Sequence, residues 1–219
     1  MEPGFLFIGV IILVIVIAIF AHMQAQKRRQ MFADWASASG LRFIPDKDRH
    51  FDDQFPLPCF KRGSRRSAYN RCVGKRGDYS IVAGDYRYTT GSGDDKKTHT
   101  FSFFMVQPSY PLRDFALRPE HVFDKFSAAF GFDDIDFESA EFSKAFHVKC
   151  ADRKWAYDVL HPRTMEFLLR HRKLNLQANP RAIVVQDGRD WQIPQFEHYA
   201  NLLTEFLDAI PNHAREVNG

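Results

Sequence analysis

Residues 79–106 read YSIVAGDYRYTT, GSGDDK and KTHTFSFFMV in succession, and this stretch decides the fold. Its two outer segments are rich in aromatic and β-branched residues, while the middle carries the Gly, Ser and Asp of a turn. Strand, turn and strand make a long antiparallel β-hairpin. With a register about symmetric around Ser92 and Gly93, Asp85 on one arm approaches His99 on the other. A carboxylate beside an imidazole is either a cross-strand polar pair on a solvated face or the orienting pair of a catalytic site. The glycine-rich tip is not a phosphate loop, because that motif needs GxxxxGK[ST] opening a helix and this tip opens a strand.

Toward the C-terminus, Phe115 to Arg118 is extended, and Pro119 suits the first turn of a helix running to Phe130, with Glu120 at its positive end. Residues 132–138 alternate Phe132, Ile135 and Phe137 with acids, a half-exposed edge segment that lacks the DxDxDG spacing of a calcium loop. A strand over 145–150 precedes a helix capped by Asp152 and a second helix opened by Pro162. Residues 174–178 and 181–186 flank Asn179-Pro180 as a second hairpin. Ile193, Phe196, Tyr199, Ala200, Leu203, Phe206, Leu207 and Ile210 then form one stripe at helical spacing. That stripe packs on the sheet or serves as a partner-helix or dimer seam.

Toward the N-terminus lies KRGSRRSAYNRCVGKR, residues 61–76, which holds Lys61, Arg62, Arg65, Arg66, Arg71, Lys75 and Arg76 and no acid. It reads as a solvated strand-turn-strand face, or as a surface for anionic lipid head groups, where each cation near a membrane is worth about 1 kcal/mol. Nucleic acid is not expected, since Tyr69 is its only aromatic residue and no binding motif is present. Residues 46–58 are an irregular connection pinned by Phe51, Phe55 and Leu57, and residues 41–44 a short strand.

The first part of the chain sets its location. Phe5 to Met23 reads FLFIGVIILVIVIAIFAHM, nineteen residues without a charge, which as a helix reach about 29 Å, near the hydrocarbon thickness of a bilayer. A cleaved signal would want basic residues before a shorter apolar run, and Met1-Glu2-Pro3-Gly4 has none. A buried core helix would show a polar face. The segment reads as one transmembrane helix. Lys27, Arg28 and Arg29 follow it and only Glu2 precedes it, so the positive-inside rule puts residues 1–4 outside and the rest in the cytoplasm, on a cell (inner) membrane. With no Pro or Gly between Gly9 and Gly40, the helix continues through a juxtamembrane segment, 24–40. A cytoplasmic α+β domain of antiparallel hairpins and helices then occupies 41–211, as one body or as halves 41–118 and 119–211, ahead of a tail at 212–219.

Asp85-Tyr86-Arg87-Tyr88-Thr89-Thr90-Gly91-Ser92-Gly93, with Leu57-Pro58 upstream and Phe115-Ala116-Leu117-Arg118-Pro119-Glu120 downstream, resembles a group of uncharacterised bacterial single-pass membrane-anchored proteins. These carry a DYxYxTGSG-type hairpin followed by an FxLRPE segment. The resemblance spans about residues 55–207 and implies an architecture, with no activity attached. Gly84 departs from the bulky aromatic expected before the Asp, which points to a looser strand or a bulge.

Chemistry is sparse. Twenty-two Phe and 15% aromatic residues promise a substantial core, and a net charge of +3 excludes a polybasic protein. Cys59, Cys72 and Cys150 are widely spaced and read as buried thiols outside any disulfide. The histidines do not cluster, and HExxH, GxSxG and GxGxxG are all missing, so neither a metal nor a cofactor is expected. Asp85, His99, Arg118 and Glu120 form the one polar set worth following. The leading expectation is a membrane-anchored binding or scaffolding module whose partners are the bilayer, anionic head groups, and a protein or second copy. The alternatives are a tethered enzyme with a site assembled only in three dimensions, and an anionic-lipid-contacting domain.

Overall fold

α1 (Pro3–Ala38) is a single uninterrupted helix that carries the apolar run straight into the folded domain. The computed structural model describes residues 3–120 and 131–216. Every side chain from Ile8 to Lys27 is exposed, whereas Phe32, Trp35 and Ala36, two turns further on, are buried. The helix is therefore apolar all round where no protein covers it and one-sided where the domain begins. Its first part is long and apolar enough to cross a membrane.

The domain is α+β, built on one eight-stranded antiparallel sheet. Its strands are β1 (Arg42–Ile44), β2 (Ser64–Arg76), β3 (Tyr79–Thr90), β4 (Lys97–Gln107), β5 (Phe115–Pro119), β6 (Phe146–Cys150), β7 (Leu176–Asn179) and β8 (Ala182–Val185). Their order across the sheet is β1-β2-β3-β4-β8-β7-β5-β6. β4 pairs with β8, and the 118/119 boundary falls inside β5, so the two halves share one sheet. The helices are α2 (Phe51–Gln54), α3 (Ala140–Ala145), α4 (Arg153–Val159), α5 (Pro162–Arg170), α6 (Ile193–Asp208) and α7 (Asn212–Arg215).

Strand alternation divides the core in two. On β3, Ile81 and Ala83 face a cluster shared with α1, α4, α5 and α6, while Val82, Tyr86 and Tyr88 face Phe51, Leu57, Phe60, Phe101 and Phe103. The long helices thus cover one face, and the connection over residues 45–63 covers the other. The α6 stripe is core: Phe196, Leu203, Phe206 and Leu207 are fully buried, and Gln192 with Gln195 caps the helix start.

Pro119 corrects one expectation. It ends β5 opposite Phe146 instead of opening a helix, and the rest of that proposed helix, 121–130, lies outside the described residues. β7 reaches only to Leu117, so the donor that Pro119 lacks has no neighbouring strand to bond.

Candidate functional site

Two β-bulges in β2 shape the centre of the α1-covered face. Between Ser64 and Ser67, and again between Tyr69 and Cys72, β2 spends one residue more than β3. The inserted turns fall on Arg65 (φ 51) and Asn70 (φ 50), both left-handed, and Asn is among the side chains that tolerate that region best. The second bulge brings the β2 backbone against Gly84, where an added Cβ would lie 3.1 Å from the Tyr69 carbonyl oxygen. The bulge foreshadowed by Gly84 therefore sits on the neighbouring strand.

This distortion turns Asn70 toward Asp85, whose side chain is fully buried. Asn70 Nδ2 donates to Asp85 Oδ2 (3.1 Å), and Ser102 Oγ donates to Oδ1 (2.9 Å). The remaining two bonds come from α1. Arg28 Nε donates to Oδ2 (2.7 Å) and Arg28 Nη2 to Oδ1 (2.5 Å), a bidentate pair. Four donors saturate the carboxylate. Arg28 also donates to Ser102 Oγ (2.9 Å) and the Trp191 carbonyl (3.1 Å), and its guanidinium lies 5.3 Å from the Phe32 ring centroid. Burial works against its charge, but the bonds and the charge of Asp85 more than offset this and raise its pKa above the ordinary arginine value.

Around this clamp the helix is packed by aromatics. Phe32 and Trp35 each lie 5.2 Å from Phe196, ring to ring. Trp35 Nε1 donates to Glu197 Oε1 (2.7 Å), and Arg76 Nη1 donates to Oε2 (2.8 Å). α1 runs antiparallel to β3 across the face. Arg28 sits at Asp85, and the Phe32 carbonyl accepts from Cys72, which pairs with Ala83. Leu41 sits on Gly74, which pairs with Ile81 and where a Cβ would come within 2.8 Å.

The residues singled out from sequence are dispersed. Asp85 stands opposite Ser102 and His99 opposite Tyr88, so the proposed Asp85–His99 pair does not form. A 3-10 turn over Gly93–Asp95 lengthens the β4 side of the tip and shifts the register. His99 instead stacks on Tyr88 at 4.8 Å and bonds Thr90 Oγ1 at 2.7 Å. Arg118 lies opposite His147 on β6, and His147 pairs with Glu120; β4, β8 and β7 separate that pair from β3. The described structure thus spreads Asp85, His99, Arg118 and Glu120 across the sheet.

The basic stretch is also divided. Lys61 and Arg66 pair with Asp52, Arg71 with Asp48 at 2.7 Å, and Arg76 with Glu197, while Arg62 lies over the Tyr88 ring. Lys75 and Arg76 occupy the far end of β2 from Arg65, and a strand rises about 3.3 Å per residue, so the seven form no compact cluster. The three cysteines are buried and form no disulfide; burial pushes the Cys72 and Cys150 thiols up to about 12. Among the described residues no group of three or more His, Cys, Asp or Glu is placed to hold a metal ion. The residue that sequence reading assigned to topology alone is Arg28, whose partner is 57 positions away.

The fold has a counterpart of known structure. The chain is similar to the mycobacterial trehalose monomycolate transport factor A, TtfA, with a TM-score of 0.59 and 8% identity over 84% of this chain and 96% of that one. No protein-family model and no curated protein sequence matches the chain. At this identity the likeness is one of fold.

Proposed function

We propose that the chain is a membrane-tethered docking module, held with its N-terminus outside and its α+β domain at the cytoplasmic surface of the cell membrane, where it binds a membrane-protein partner. It belongs, on this reading, with the bacterial anchored proteins that its hairpin and FxLRPE segments resemble. The observation that carries the proposal is the continuity of α1: one helix is exposed and apolar over its first part and bolted to the sheet by Arg28 and Asp85 over its last. A rigid stem fixes both the height and the facing of the domain, which suits recognition of a partner in the same membrane. The likeness to a protein named as a trehalose monomycolate transport factor supports an accessory role in transport.

Two measurements test this. The native thiols are buried, so Lys75→Cys at the exposed far end of β2 gives a selective label site. An impermeant maleimide should label it only after the cells are permeabilised; labelling in intact cells reverses the orientation. The full-length chain extracted in mild detergent should retain a membrane protein at a fixed ratio. Purification alone, both with and without prior cross-linking in cells, overturns the docking role.

A further inference from the structure

On the face that carries α1, β3 continues past Asp85 with Arg87 and Thr89. There a groove of about 460 Å³ is lined by Lys47, Arg49, Arg65, Arg66, Arg87 and Lys96, with three hydroxyl side chains between them and no carboxylate. Arg66 shares its charge with Asp52 at 2.9 Å. The other five have no carboxylate partner among the described residues. Their assembly is a product of the fold: the connection before α2 supplies two, the first β2 bulge turns Arg65 into place, β3 supplies Arg87, and the hairpin tip supplies Lys96. Five uncompensated cations at one concave site repel one another, and an anion relieves that repulsion.

The groove also has a defined height. α1 leaves the sheet in the direction in which β3 advances. From Asp85 to Arg87 is about 7 Å along the strand, and from Arg28 back to Met23, the end of the apolar run, about 7.5 Å along the helix. The groove therefore lies at the end of the sheet nearest the apolar run, which on the anchored reading is the end that faces the head groups. The geometry points to a phosphate-binding groove that takes the phosphate of an anionic lipid from the leaflet holding α1. The lipid source rests on the anchored reading above; the phosphate chemistry does not.

The full-length chain in non-ionic detergent is titrated with phosphatidylglycerol, with phosphatidylcholine, and separately with inorganic pyrophosphate, and bound ligand is counted by native mass spectrometry. Phosphatidylglycerol should be retained over phosphatidylcholine. Arg87→Gln and Lys96→Gln should each weaken that retention about five-fold and together about 25-fold, while Lys75→Gln, outside the groove, leaves it unchanged. Equal melting curves for these surface variants and the parent confirm that the fold is kept. Pyrophosphate binding that the same two substitutions abolish supports the groove as a phosphate site even if the lipid arm, or the anchoring itself, fails. Equal retention of both lipids without pyrophosphate binding overturns the proposal, as does an undiminished preference in the double variant.

Discussion

Arg28→Ala is expected to destabilise the full-length chain in detergent by about 3–5 kcal/mol, because it strands the fully buried Asp85 carboxylate with two neutral donors in place of four bonds. For a domain of this size the loss corresponds to a fall in melting temperature of roughly 6–20 °C. Arg28→Lys should recover only part of it, since an ammonium cannot donate to both carboxylate oxygens in one plane as the fork does. Asp85→Ala should cost less, because the Arg28 side chain is 20% exposed and its charge can turn to water. A double-mutant cycle over the two positions should return a coupling of about 2–3 kcal/mol. Melting of Arg28→Ala within a degree of the parent would show that the pair does not hold the helix to the sheet.

The second large effect concerns where the domain begins. A chain started at Gln24 keeps Arg28, Phe32, Trp35 and Ala36 and should fold as a soluble body. One started at Met31 loses the Arg28 clamp, and one started at Leu41 loses the buried aromatics as well. Deleting a buried Phe or Trp side chain costs about 3–5 kcal/mol, so two of them and a severed ion pair approach the whole of a typical 5–15 kcal/mol stability. The Leu41 version should lose its near-ultraviolet circular dichroism and show no cooperative melt. A sharp transition matching that of the Gln24 version would mean that α1 only lies on the domain and is not part of it.

Local pattern made much of this fold legible. The arms of residues 79–106 are rich in aromatic and β-branched residues around a turn, and the α6 stripe repeats at helical spacing, so strand and helix could be read without knowing what they touch. The register could not, because a 3-10 turn inside the tip moves Asp85 three residues along β4, from His99 to Ser102. The clamp was hidden for a different reason. Arg28 sits where the positive-inside rule already accounts for a cation, and its carboxylate lies on a strand far along the chain. Asn70 carried a faint signal, as an Asn within a strand-like run is a natural site for a left-handed residue. The groove had none, since its cations come from four separate segments and four of the six lie outside the stretch that looked basic.

A joint-free stem makes the anchor a rotary shaft. Each helical residue turns the chain by about 100° and advances it about 1.5 Å, so the residues between Met23 and Arg28 set the compass bearing of the sheet relative to whatever grips the span. One residue added there would swing the domain more than a quarter turn at almost unchanged height. Seven added residues would nearly restore its bearing while raising it by about 10 Å. Phase and height are thus set separately by a few residues of helix.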